Sequence, residues 1–273
     1  MLIEGSDVEV RYGSVVALAS SSFSIPSNAV TALIGPNGSG KSSLLNAIAG
    51  LAGSGLVTIG GATADRVRSR VAYVLQTTKV NESMPVTVRE VVTMGRFTTS
   101  GAFGRLTDVD RNAVDVAMDR LGLADIAERH LGELSGGERQ RVFVAQGLAQ
   151  DHDVLLLDEP FTGVDVVSHQ AIEKAIVDER GTGCSVVMST HDLSVASATD
   201  HVILLAGKVV AEGPPAEALT TETLSAAYGT RFMRLEDGRF FIDDPAHTPV
   251  PGRHSHLERT IHPEAPGGAL HDD

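Results

Sequence analysis

The sequence predicts an α/β fold on a mostly parallel sheet, with an N-terminal antiparallel β subdomain and an inserted α-helical subdomain. Three observations predict it. A buried strand, "AVTALIG" (29–35), runs into a glycine-rich loop and then into the helix-spaced series "SSLLNAIAGL" (42–51). From Val154 onward, strands alternate with helical stretches long enough to cover a parallel sheet on both faces. Between these two regions, residues from about 80 to 150 carry mainly helical patterns.

In chain order, the first 28 residues alternate apolar and polar positions in several places, with turns near Tyr12-Gly13 and Pro26-Ser27-Asn28. That is the pattern of short antiparallel strands. The helix after the glycine loop ends at Gly50 and Gly53. "GLVTIGG" (55–61) and "RVAYVLQ" (70–76) are strand-like, the second ending at Gln76. "VTVREVVTMGRF" (86–97) and "DVDRNAVDVAMDRLGL" (108–123) are helical. Val114, Ala117, Met118 and Leu121 fall on one face of the second, and Asp108 or Asp110 is placed to cap it. There follow strand "VLLLDEP", helix "SHQAIEKAIVDER", strand "SVVMST", helix "SVASATD" and strand "HVILLAGKVV". Asp237-Gly238 inside "RFMRLEDGRFFID" (231–243) predicts a hairpin. The expected organisation is a domain over 1–228, its helical part at about 80–150, a hairpin extension at 229–244 and a flexible tail at 245–273.

A chain of 273 residues holds one large domain or two modest ones. A net charge of −13 argues against nucleic acid held on a basic surface. The single cysteine, Cys184, precludes an internal disulfide framework and fits a reducing compartment; its apolar surroundings predict a buried position. No N-terminal stretch has the order of a secretion signal, and no apolar run approaches the roughly 20 residues of a membrane span. The expectation is a soluble chain whose role at a membrane, if it has one, comes through another subunit.

"GPNGSGKS" (35–42) matches the phosphate-binding P-loop pattern G-x-x-x-x-G-K-[ST], with a strand before it and a helix after it. Gly35, Pro36, Asn37, Gly38, Ser39 and Gly40 let successive backbone N–H groups face phosphates, and the helix N-terminus adds partial positive charge. Lys41 reaches the terminal phosphates, and Ser42, followed by Ser43, supplies a hydroxyl to Mg²⁺. The fold class is therefore a P-loop ATPase core. "VLLLDEP" (154–160) brings two acids to the C-terminal end of a core strand, where ligands of open α/β sheets bind. Asp158 can hold the metal, and Glu159 can orient or deprotonate an attacking water. By the same logic His191 is placed to face the γ-phosphate, and the Gln76 amide can touch Mg²⁺ or the lytic water. "LSGGERQR" (134–141) adds a second anion site without a lysine, from Ser135, Gly136, Gly137 and the following helix N-terminus.

The order P-loop, Gln76, "LSGGE", "VLLLDEP" and His191 resembles the ATP-binding cassette (ABC) family over roughly residues 1–228. "LSGGERQR" is the specific element. The resemblance implies that Tyr12 stacks on adenine and that Gln76 links the ATP site to a membrane partner. It makes Ser135, Gly136 and Gly137 the signature loop, Glu159 the catalytic base, Asp165 the D-loop aspartate and His191 the switch histidine. It also implies ATP and Mg²⁺ as cofactors and a head-to-tail homodimer in which each signature loop closes over ATP held by the other copy. Two departures stand out: the D-loop reads "TGVD" rather than Ser-Ala-Leu-Asp, and the P-loop ends Ser-Ser rather than Ser-Thr.

Without membrane spans or a long coiled-coil insertion, the chain is similar to transporter motor subunits. Their partners are integral-membrane permease subunits and an extracytoplasmic substrate-binding protein, and they sit on the cytoplasmic face of the membrane. "MPVTVREVVTMGR" (84–96) and "PFTGVD" (160–165) resemble the zinc and manganese importer branch. Another cargo (an iron chelate, cobalamin or an exported substrate) and a soluble non-transport ATPase stay open as alternatives. His247, His254, His256, His262 and His271 concentrate imidazole in the tail, as either a loose metal-binding set or a tolerant polar terminus.

Overall fold

The alternating N-terminal pattern produces a hairpin of β1 (Ile3–Tyr12) and β2 (Val15–Ile25), turning at Gly13 with φ 62°. Val8, Val10, Leu18 and Ile25 lie inward and are fully buried. With β4 (Ser54–Ile59) and β5 (Ala62–Thr63) the hairpin forms an antiparallel sheet of order β2-β1-β4-β5. The computed structural model describes residues 1–76, 85–97, 105–229, 231–234 and 240–243.

The second sheet has the order β10-β9-β3-β8-β7-β6. β3 (Val30–Ile34), β6 (Val71–Val74), β7 (Val154–Leu157), β8 (Ser185–Thr190) and β9 (His201–Leu205) run parallel, and β10 (Val209–Gly213) is antiparallel at one edge. The run "HVILLAGKVV", expected as one strand, is therefore two. Gly207, at φ 71°, folds it back, and the Ala206 N–H donates to the Lys208 carbonyl at 2.9 Å.

Side-chain alternation splits the parallel core between its two faces. Val154, Leu156, Val187 and Ile203 join α1 (Lys41–Ile48) and the antiparallel sheet, while Leu155, Leu157, Val186 and Met188 face the helical insert. Each fully buried Val or Leu is worth about 1.5–3 kcal/mol, so the strands that carry the site are anchored on both sides.

The insert contains α2 (Val88–Met94), α3 (Asp108–Arg120) and α4 (Gly136–Ala149), each opened by a hydroxyl residue: Thr87, Thr107 and Ser135. Asp108 and Asp110 do not cap α3. Thr107 does, and Asp110, three residues on, returns a bond to the Thr107 N–H at 2.8 Å. Val114, Ala117, Met118 and Leu121 are buried together. Buried Arg96 joins α2 to α3 and to the end of α4 through Asp110, at 2.9 Å, and Asp151, at 2.8 Å.

After the insert come α5 (Val166–Gly181), α6 (Leu193–Ser197), α7 (Pro215–Ala218) and α8 (Thr221–Tyr228). β11 (Arg231–Arg234) pairs antiparallel with β12 (Phe240–Asp243). One compact unit spans Met1–Asp243. Asp237-Gly238, Met84 and the tail histidines lie outside the described residues. Among the described residues no helix is long and apolar enough to cross a membrane.

Candidate active site

Four neighbouring parallel strands, β3, β8, β7 and β6, deliver their C-terminal ends to one edge of the sheet. Their continuations are the loop at 35–40, His191, the Asp158-Glu159 pair and Gln76 respectively. Residues far apart in sequence therefore stand in one row because of strand order. A polar cleft of about 340 Å³ opens there, lined by the 37–43 segment with Ala17, Gln76 and Glu159.

The loop is built for close approach. Gly38 and Gly40 have φ of 77° and 101°, and a Cβ on Gly40 would sit 2.8 Å from the Ala17 carbonyl. Gly40 precedes the first turn of α1, so free N–H groups point into the cleft. The Ser39 hydroxyl is buried with no protein partner, and Ser42 is exposed while Ser43 is buried. Lys41 is 7% exposed and donates to the carbonyls of Gly35, at 2.8 Å, and Pro36, at 3.2 Å. Burial pushes its ammonium below the usual range, and the charges of Glu159 and Asp158 push back. A cation held in a glycine cradle beside spare hydroxyls and two carboxylates has the donor set for a metal-complexed polyphosphate.

Across the cleft, Glu159 Oε2 accepts the Gln76 side-chain amide at 2.9 Å and the Thr162 hydroxyl at 3.0 Å. Glu159 has φ 50°, uncommon for a residue with a Cβ. Its backbone N–H donates to the Ser189 hydroxyl at 2.8 Å, and Ser189 donates to Asp158 Oδ1 at 2.6 Å. Asp158 and Ser189 are both buried.

The remaining candidates lie outside this cleft lining. Tyr12 is half exposed at the end of β1, its hydroxyl accepting from the Asn46 amide of α1 at 3.1 Å. His191 is exposed just beyond β8. Ser135 and Gly136 are exposed at the start of α4, where the Ser135 hydroxyl accepts the Glu138 N–H at 3.2 Å. Gly137 is buried against Asp165, where a Cβ would collide with the Asp165 carboxylate and the Ser168 hydroxyl. Asp165 in turn caps α5, accepting the Ser168 N–H and hydroxyl at 2.9 Å each. Residues 135–137 and Asp165 thus abut one another, and neither lines the cleft along the 37–43 segment of the same chain.

The model of the ABC transporter family matches residues 18–162, more than half of the chain. The chain belongs to the ABC transporter family. The cassette is 38% identical over 176 residues to the manganese transport system ATP-binding protein MntA of Synechocystis sp., covering 63% of this chain and 68% of that protein. It is 39% identical over 176 residues to the zinc transport system ATP-binding protein TroB of Treponema pallidum, covering 64% and 66%. These alignments span about two thirds of the relatives' own length. Among solved structures, the dimeric structure of a bacterial ABC transporter cassette is 26% identical, covering 78% of this chain and 98% of that one, with a TM-score of 0.68.

Ser189 and Thr162 are the cassette residues that a motif reading passes over. Ser189 left a faint trace, one of three hydroxyls in the otherwise apolar run "SVVMST", where burial demands a partner. Thr162 left none, because its contact depends on the turn after Glu159.

Proposed function

We propose that the cassette is the ATP-hydrolysing motor subunit of an importer for divalent metal ions, zinc or manganese. The observation that carries the motor reading is the bond from Gln76 to Glu159 at the mouth of the P-loop cleft. It joins the residue that starts the insert to the acid that activates water. In this reading Lys41 and residues 35–40 hold the phosphates of ATP, and Tyr12 stacks on adenine. Ser42, Asp158 and Gln76 hold Mg²⁺, which when bound polarises the phosphoryl oxygens. Glu159 takes a proton from the attacking water, and His191 senses the γ-phosphate.

Ser135, Gly136 and Gly137 lie apart from the cleft of their own chain, which supports a head-to-tail pair of copies. Each signature loop then closes over ATP on the other copy, with Asp165 beside it, and hydrolysis reopens the pair. The insert after Gln76 docks on an integral-membrane permease at the cytoplasmic face of the membrane, served by an extracytoplasmic substrate-binding protein. The cargo reading rests on the manganese and zinc systems named for the relatives and on the stretches "MPVTVREVVTMGR" and "PFTGVD". Transport of several radiolabelled metals by a deletion strain separates it from another cargo.

The motor reading is tested with Glu159→Gln. The variant is expected to keep Mg·ATP, lose turnover and elute as a dimer from a sizing column at saturating ATP. Elution as monomer alone would sink the head-to-tail account.

A further inference from the structure

A second cluster of ligating side chains lies at the opposite end of the parallel sheet. His152 stands two residues before β7, Cys184 one residue before β8, and Glu179 in the last turn of α5. The side chains of His152 and Glu179 are 5% and 8% exposed, and Cys184 is 4% exposed. One ligand atom from each lies within 4.8 Å of the others. His152 Nδ1 is 2.6 Å from the Gln150 carbonyl, and Nε2 is 3.0 Å from Glu179 Oε2. Both partners only accept, so the ring carries both protons. Arg120 donates to the other carboxylate oxygen of Glu179 at 2.5 Å.

We propose that His152 Nε2, Glu179 Oε2 and Cys184 Sγ form a binding site for a borderline divalent cation of the Zn²⁺ class. Imidazole, carboxylate and thiolate are the donors such ions take, and three protein ligands leave a fourth position for water. The outer contacts are those that orient metal ligands. The Gln150 carbonyl fixes Nδ1–H and aims Nε2 inward, and Arg120 holds the spare oxygen of Glu179.

Charge balance favours the exchange. Without metal, guanidinium, imidazolium, carboxylate and thiol sum to +1. A divalent cation displaces the Nε2 proton and the thiol proton, leaving guanidinium, neutral imidazole, carboxylate, thiolate and M²⁺, again +1. One cation enters and two protons leave, so the buried cluster gains no net charge. Residues 181–183 beside Cys184 are exposed, which places the cluster next to a surface loop. Occupancy would tie together α5 and the starts of β7 and β8, far from the ATP chemistry and independent of the cargo.

Co²⁺ titration of the full-length, nucleotide-free protein tests this. Cys184 is the chain's one cysteine, so a sulfur-to-cobalt charge-transfer band in the near ultraviolet reports this site and no tail histidine. The band is expected to saturate at one equivalent and to disappear when Zn²⁺ is added. Calorimetry in two buffers of different ionisation enthalpy is expected to find two protons released at this site. Cys184→Ser should abolish the band with the far-ultraviolet circular dichroism unchanged. His152→Gln should abolish or greatly weaken it; if that variant does not fold, Glu179→Gln serves the same purpose. Co²⁺ spectra with no thiolate band, or a band unchanged by loss of His152 or Glu179, would overturn the assignment.

Discussion

The Ser189 hydroxyl donates to the Asp158 carboxylate across 2.6 Å, in the buried floor of the ATP edge. The same oxygen accepts the Glu159 N–H, so one hydroxyl sets the carboxylate of one acid and the backbone of the next. A left-handed backbone at a residue such as Glu159 costs about 1–3 kcal/mol and persists only where neighbours hold it. Ser189→Thr and Ser189→Val are nearly isosteric with each other, and only the first keeps a hydroxyl. Relative to Ser189→Thr, Ser189→Val should lower kcat for ATP about tenfold, the effect of losing one buried hydrogen bond at the reacting centre. Steady-state ATPase rates with matched thermal melts check this. Equal kcat in the two variants would reduce Ser189 to packing.

Gly137 has no room for a methyl group. Gly137→Ala must push aside Asp165 or Ser168 and so disturb the cap of α5. Overpacking and cap loss together predict a destabilisation of about 1–3 kcal/mol. Urea unfolding of the isolated chain measures it without ATP or a partner. An unchanged midpoint would mean that the contact yields without cost.

Asp110 links stability to acid. Hydrogen bonds from the Thr107 hydroxyl and amide, then from Arg96, lower its carboxyl from 3.8 to about 2. A depressed carboxyl stabilises the fold fully above its unfolded value and loses that contribution as pH falls toward its folded value. Asp110→Asn should therefore be less stable than wild type at neutral pH, with the gap closing below about pH 4. Denaturant midpoints at pH 7, 5 and 3.5 read the trend. A gap that widens on acidification would contradict the depressed carboxyl.

Much of the edge was legible in the residues. The P-loop pattern, the acids ending "VLLLDEP" and the strands leading to Gln76 and His191 all depend on local spacing, which a single chain displays. What a linear reading could not supply was set by tertiary contact. The role of Thr107 rather than Asp108 as cap turns on one residue of phase, where both hydroxyl and carboxylate suit the position, and Asp110 answers the cap from three residues on. The break in "HVILLAGKVV" depends on a glycine that strands also tolerate. The Ser189 bridge and the packing of Gly137 on Asp165 join segments dozens of residues apart. No periodicity encodes such contacts.

β6 and β7 are hydrogen-bonded neighbours, yet the whole helical insert leaves the sheet after one and returns before the other. The ladder between them closes regardless of what is spliced into that excursion. The insert is therefore a replaceable head on a fixed handle: lengthening it or reshaping its outer surface leaves the spacing of Gln76 and Glu159 to the two strands. On the proposed function, one motor design can be refitted to differently shaped sockets without retuning its chemistry.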